Sequence, residues 1–231
     1  MPAHPHPHAQ VFSLSCTVGF ASHNYTSDSL SQPAGRAAQI PAVLDVIDDV
    51  IGTGRSADLL TGMFTAFTWL GGIYYGDELR GIARQLDIST GRLALLQVAY
   101  EVFAMCTSIV ADSPKAAASG PQHIRTMDWD LPALQRMTIE VEFCRGSTPL
   151  FVATTWPGYL GVLTGMRFGG YSVSVNYRRT ERGHQSPLWA ILGNFARGLT
   201  GAWPISFLVR AVLTDTPSYA QAVLQLRSSD L

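Results

Sequence analysis

The spacing of apolar residues changes at Cys106, and that change rules out an all-helical or all-strand fold. Upstream, Ile40, Val43, Leu44, Ile47, Val50 and Ile51 recur at helical intervals. Ser56 is the expected cap of a second helix carrying Leu59, Leu60, Met63, Phe64, Phe67 and Leu70, with Gly71 and Gly72 ending it. A third helix is expected over Asp77 to Leu86, and Ser89 is the expected cap of a fourth with Leu93, Leu96 and Tyr100 inward. Downstream the period becomes two: Met137, Ile139, Val141 and Phe143 alternate with Arg136, Thr138, Glu140 and Glu142, as a half-buried strand requires. Further strands fit Leu150 to Thr154, Tyr159 to Leu163 and Tyr171 to Val175. Helical spacing returns after Pro187 with Leu188, Ile191, Leu192 and Phe195, then Phe207, Leu208 and Ala211. This order predicts an α+β architecture: residues 1–105 as a helical region and residues 106–231 as a β-rich region closed by helices.

A chain of 231 residues that is 47% hydrophobic can bury a sizeable core in one large domain or two small ones. Its formal net charge of −1 argues against nucleic acid as a partner, because neutralising phosphates takes a basic surface. No apolar run reaches the roughly 18 residues of a spanning helix. The start, with His4, His6 and His8 alternating with prolines, is expected to be partly disordered over residues 1–30, and no metal is assigned to it. No Lys or Arg precedes its short apolar stretch, so a secretory signal is not convincing. The three cysteines, Cys16, Cys106 and Cys144, have neither metal-ligand spacing nor a disulfide framework, and no cofactor is expected. Met63, Phe64, Phe67 and Trp69 fit either a core-facing helix stripe or a face meeting a lipid interface, and spacing alone does not choose.

Cys106 stands at the junction of the two regions, with Arg125 and Asp128 following. A thiol, a guanidinium and a carboxylate are the parts of a nucleophile site. An adjacent guanidinium favours the thiolate, which is the attacking form. If 106–111 and 123–128 form a hairpin about the Ser113–Gly120 turn residues, Cys106 lies opposite Asp128 and Arg125 is within one long side chain of the thiol. Arg125 and Asp128 are three apart and so point to opposite faces of a regular strand. Both can serve one site only if Asp128 ends the strand or follows a bulge.

The blocks CTSIV (106–110), RTMD (125–128) and GYLGVLTG (158–165), in that order, closely resemble the acid ceramidase and N-acylethanolamine acid amidase family, within the wider choloylglycine hydrolase and penicillin V acylase group. The likeness extends upstream to Gly72–Tyr75 and Asp87–Glu101 and downstream to Trp203–Leu213, covering roughly residues 70–226. It implies the αββα sandwich of N-terminal nucleophile hydrolases, with residues 1–105 as the α-subunit region. It also implies self-cleavage between Met105 and Cys106, giving an α/β heterodimer. An α-amine titrates near pH ~8 and can pass protons at the thiol, but only once that bond is cut. Asp128 would orient the amine and Arg125 would hold thiolate and carboxylate.

The implied reaction is hydrolysis of ceramide or a related N-acyl amine, a lipid amide that brings peripheral contact with a membrane or lipid interface. Trp156, Tyr159, Leu160, Leu163 and Phe168 are candidate acyl contacts, with ordinary sheet core as the other reading. Asn176 and Tyr177 are candidates for the oxyanion loop, although acid ceramidases carry glutamate where Tyr177 stands. The family continues past the position matching Leu231 with strands bearing an oxyanion asparagine, so the C-terminal part of the sandwich is expected to be missing. This leaves a truncated or inactive lipid-binding member as the alternative. A penicillin V type acylase fits less well, because those enzymes expose cysteine after a short leader. Eukaryotic relatives are lysosomal, and the compartment of this chain is left open.

Overall fold

In the computed structural model of the chain, the residues described are 44–49, 52–70, 73–103, 105–111, 121–128, 137–176 and 203–230. Cys16, the histidine-rich start, the helical spacing at 188–195, the turn at 113–120 and Tyr177 lie outside them. The fold is α+β, with two antiparallel sheets. Residues 44–49 are helical, followed by α1 (Arg55–Trp69), α2 (Gly76–Leu86) and α3 (Thr90–Phe103). Strands β1 (Met105–Ala111) and β2 (Gln122–Asp128) form a two-stranded ribbon. Strands β3 (Ile139–Arg145), β4 (Thr148–Thr155), β5 (Thr164–Arg167) and β6 (Ser172–Ser174) form a meander in sequence order. Helices α4 (Ile205–Asp215) and α5 (Tyr219–Ser228) follow. Among the described residues, no helix is long and apolar enough to cross a membrane.

The apolar stripes account for the two larger cores. Val46, Ile47, Leu60, Phe64, Leu79, Leu86, Leu93 and Leu96 pack into a helical core that also takes in Met137, Leu160 and Phe207. The inward residues of the sheet, Ile139, Val141, Phe143, Phe151 and Ala153, pack with Val162 and with Val209 and Leu213 of α4. Phe64 and Phe67 are buried, whereas Trp69 is exposed beneath the Arg80 guanidinium, which lies 4.9 Å from its ring centroid.

Several expectations are corrected. The cap of α1 is Gly54 rather than Ser56, which sits inside the first turn. Strand β1 begins at Met105, one residue before the expected boundary. Tyr159 to Leu163 is not a strand: residues 156–163 form a buried loop between β4 and β5. Strand pairing is not available to that loop because its backbone groups are taken elsewhere. The Gln97 side chain accepts from the Leu160 N–H and donates to the Gly158 carbonyl, and Val162 N–H donates to the Ser206 carbonyl in α4. Gly158, at φ +83°, turns the chain there, and a Cβ at that position would lie 2.9 Å from Leu93 Cδ1.

Candidate functional site

The register of the β1–β2 ribbon decides the site. Cys106 lies opposite Met127, Ser108 opposite Arg125, and Met105 opposite Asp128. This is one residue away from the expected pairing, and the difference has a consequence for faces. A one-residue slip sends every side chain of one strand to the other side of the ribbon. In the expected register Arg125 would pair with Ile109, on the face away from Cys106. In the observed register Cys106, Ser108, His123, Arg125 and Met127 share one half-buried face, while Thr107, Ile109, Ile124 and Thr126 are exposed on the other. Asp128 is the last residue of β2, the position at which sequence spacing allowed it to serve the same site as Arg125.

Arg125 joins the ribbon to the larger sheet. Its Nη2 donates to Cys106 Sγ at 2.9 Å and to the Val175 carbonyl at 2.9 Å, and its Nη1 donates to Thr164 Oγ1 at 3.1 Å. Three acceptors on three segments fix the planar guanidinium beside the sulfur, which an ammonium on a flexible stem would not match. Cys106 is half-buried and packs against the cluster of Tyr159 and Leu163, which Met127, Trp156 and Val175 also pack against. Tyr159 and Leu163 are buried, and the Trp156 ring meets Tyr159 edge-on at 5.4 Å. The nucleophile candidate therefore has a cation on one side and an apolar wall on another.

A polar array continues along the same face. Ser108 Oγ donates to Asn176 Oδ1 at 2.9 Å and shares a hydrogen bond with Ser174 Oγ at 2.8 Å. His123 pairs through Nδ1 with Ser172 Oγ at 2.9 Å and through Nε2 with Ser174 Oγ at 3.1 Å. These contacts align β6 and Asn176 with the Cys106 face.

The structure thus brings Cys106, Arg125, Trp156, Tyr159 and Leu163 together and places Asn176 two residues along the ribbon, beside Ser108. It separates two of the expected acyl contacts from the others. Leu160 is part of the helical core, and Phe168 is exposed in the β5–β6 turn. Sequence reading missed Ser108, His123, Thr164 and the Val175 carbonyl. Ser108 and His123 were within reach, each standing two residues from an identified site residue on a strand. Thr164 and Val175 carry no local signal. Cys144 is buried in β3, where burial, then the hydrogen bond and negative charge of Glu142, push its thiol pKa up. Among the described residues, no group of histidine, cysteine or carboxylate side chains is arranged to hold a metal.

No protein-family model matches the chain. It is 33% identical over 164 residues to acid ceramidase of Heterocephalus glaber, a match covering 64% of this chain and 39% of that protein. It is 34% identical over 157 residues to the N-acylethanolamine-hydrolyzing acid amidase of Caenorhabditis elegans, covering 64% of this chain and 42% of that protein. A solved structure of a Caenorhabditis elegans N-acylethanolamine-hydrolyzing acid amidase ortholog superposes with a TM-score of 0.42 at 36% identity, over 52% of this chain and 47% of that one. The matches span about two fifths of the length of the curated relatives.

Proposed function

Because the chain is related by sequence to the acid ceramidases and N-acylethanolamine-hydrolyzing acid amidases, we propose that it is an amidohydrolase that cleaves ceramide or a related N-acyl amine into a fatty acid and an amine. The observation that carries this reading is the Cys106 sulfur held at 2.9 Å by Arg125, with Cys106 packed against the apolar cluster of Tyr159 and Leu163. A thiol beside a hydrogen-bonding guanidinium offers a nucleophile, and an apolar wall suits an acyl chain.

The proposed sequence begins within the chain. The Cys106 thiol adds to the Met105 carbonyl and the amide bond breaks, which transfers the acyl group to sulfur and frees the α-amine of Cys106. Water then hydrolyses the thioester. The freed amine accepts the thiol proton as the sulfur attacks a substrate amide, and it delivers that proton to the leaving amine. A second water releases the fatty acid. Asp128, which ends β2 opposite Met105, is the proposed partner of the new α-amine. Asn176 and Tyr177 are the proposed contributors to the oxyanion loop. The four-layer arrangement implied by the family belongs to the same proposal, as does lipid-interface contact.

The two pieces would stay associated after cleavage. The helical core mixes residues from both sides of the cut, Tyr74 stacks on Trp203 at 3.8 Å, and Arg210 of α4 bonds Glu78 of α2 at 2.9 Å. Intact-mass spectrometry after incubation at mildly acidic pH tests the reading. Pieces corresponding to residues 1–105 and 106–231 are expected, and they should be absent from Cys106→Ala. A chain that stays whole under every condition would overturn self-activation and leave lipid binding without turnover.

A further inference from the structure

We propose that Gln97 and the Glu78–Arg210 pair are positioning residues for the acyl side of the site: they fix the N–H and the carbonyl of Leu160, and through them the Tyr159 side chain beside Cys106. The inference rests on the amidase reading, since it concerns the wall that would receive the acyl chain.

Both ends of the Leu160 residue are held by buried polar side chains. Its N–H donates to Gln97 Oε1 at 2.8 Å, and its carbonyl accepts from Arg210 Nη1 at 3.0 Å. The Gln97 carboxamide is committed on each side, with Nε2 donating to the Gly158 carbonyl at 2.8 Å and the Leu93 carbonyl at 2.9 Å. Tyr159 is therefore clamped between two anchored neighbours. Leu163 is tied separately, its carbonyl accepting from Val175 N–H at 2.8 Å. Arg210 is 1% exposed and Gln97 3%. The arginine charge is answered by Glu78, at 2.9 Å and 3.2 Å to its two oxygens, and its guanidinium lies 4.3 Å from the Tyr75 ring centroid.

Desolvating an arginine and a glutamine is costly, and apolar side chains of similar volume close a core at least as well. What the polar groups add is direction: they fix the orientation of the two peptide units that meet at Leu160, which apolar packing leaves looser. The loop so oriented is the one whose Tyr159 and Leu163 touch the nucleophile candidate. Two of the three anchors, Gln97 and Glu78, precede Cys106 in sequence. The helical region thus sets the shape of the wall as well as covering the core.

Alkylation of the full-length chain tests this without requiring turnover. The rate at which Cys106 is modified would be measured by peptide mass spectrometry with N-ethylmaleimide and, below its micelle-forming concentration, with N-dodecylmaleimide. The wild type should favour the long-chain reagent. Gln97→Met should lower the long-to-short rate ratio by about tenfold, the equivalent of about 1.4 kcal/mol, with the N-ethylmaleimide rate little changed. Gln97→Glu keeps an acceptor for the Leu160 N–H and should restore part of the ratio. Should Gln97→Met fail to fold, Glu78→Gln should shift the ratio the same way by a smaller factor. An unchanged ratio in the folded variants, an equal fall with both reagents, or no long-chain preference in the wild type would overturn the proposal. A ratio that responds in a chain never hydrolysing an amide would instead defeat the amidase reading and leave the positioning role standing.

Discussion

Arg125 is the residue on which the site turns. Its two terminal nitrogens serve the Cys106 sulfur, the Val175 carbonyl and Thr164 Oγ1 at once. Lysine at this position would keep the charge but not the planar fork. A hydrogen bond to a charged group contributes about 1.5–3 kcal/mol. Arg125→Lys should therefore lower kcat/KM by about 10- to 100-fold, measured on an N-acyl amine substrate at matched fractions of folded protein. A variant retaining wild-type turnover would mean that charge alone suffices and that the fork is structural. Cys106 and Arg125 were picked out in the sequence chiefly through the resemblance of the CTSIV and RTMD blocks that carry them. Ser108 and His123, each two residues from one of them along a strand, were within reach, and the register places both on the same face as the thiol.

At the scale of elements, the loop 156–163 departs furthest from sequence expectation and matters most to the site. Its apolar run read as a strand, since Tyr159, Leu160, Val162 and Leu163 satisfy β propensity and burial alike. Three buried contacts from distant helices override that propensity: Gln97 of α3, and Ser206 and Arg210 of α4. The fit is tight at Gly161, where an added Cβ would lie 2.6 Å from Ser206 Cβ and closer still to its hydroxyl. Gly161→Ala should destabilise the protein by about 1–3 kcal/mol by overpacking, read as a fall in Tm of about 2–4 °C per kcal/mol. A melting curve indistinguishable from wild type would show that α4 can withdraw from the loop. The helices were read more accurately, because a long amphipathic stripe constrains its own face, and the expected Asp77 to Leu86 stands as Gly76–Leu86.

For the whole molecule, the buried ionisable groups set a limit on alkaline stability. Burial raises Cys144 above its ordinary 9.0 and Tyr75 above its ordinary 10.0, the Arg210 charge offsetting part of the latter shift. Tyr171 is raised in the same direction, again first by burial. A raised folded-state pKa means that the folded chain keeps a proton which the unfolded chain releases. The stability these groups contribute is complete below about pH 9 and is lost as pH climbs through their folded values. Denaturant titrations from pH 7 to 11 should show unfolding free energy falling from about pH 9 upward. Replacing Cys144 with alanine should remove the earliest part of that fall. A flat profile across this range would mean that the thiol and phenols titrate alike in both states.

The amino-acid sequence by itself determined the change from helices to strands near Cys106, the α+β class, the cores of three helices and most strands, and the choice of Cys106 with Arg125 as site candidates. These are properties of local spacing and residue type, and a chain of one dimension can carry them. The tertiary structure alone decided the one-residue register of the ribbon, the conformation of the 156–163 loop and the acceptors that anchor Arg125. Each of these depends on where a buried backbone or side-chain group finds its hydrogen-bond partner. Gln97 reaches a carbonyl 61 residues away and Arg210 a carboxylate 132 residues away, separations that no periodicity records.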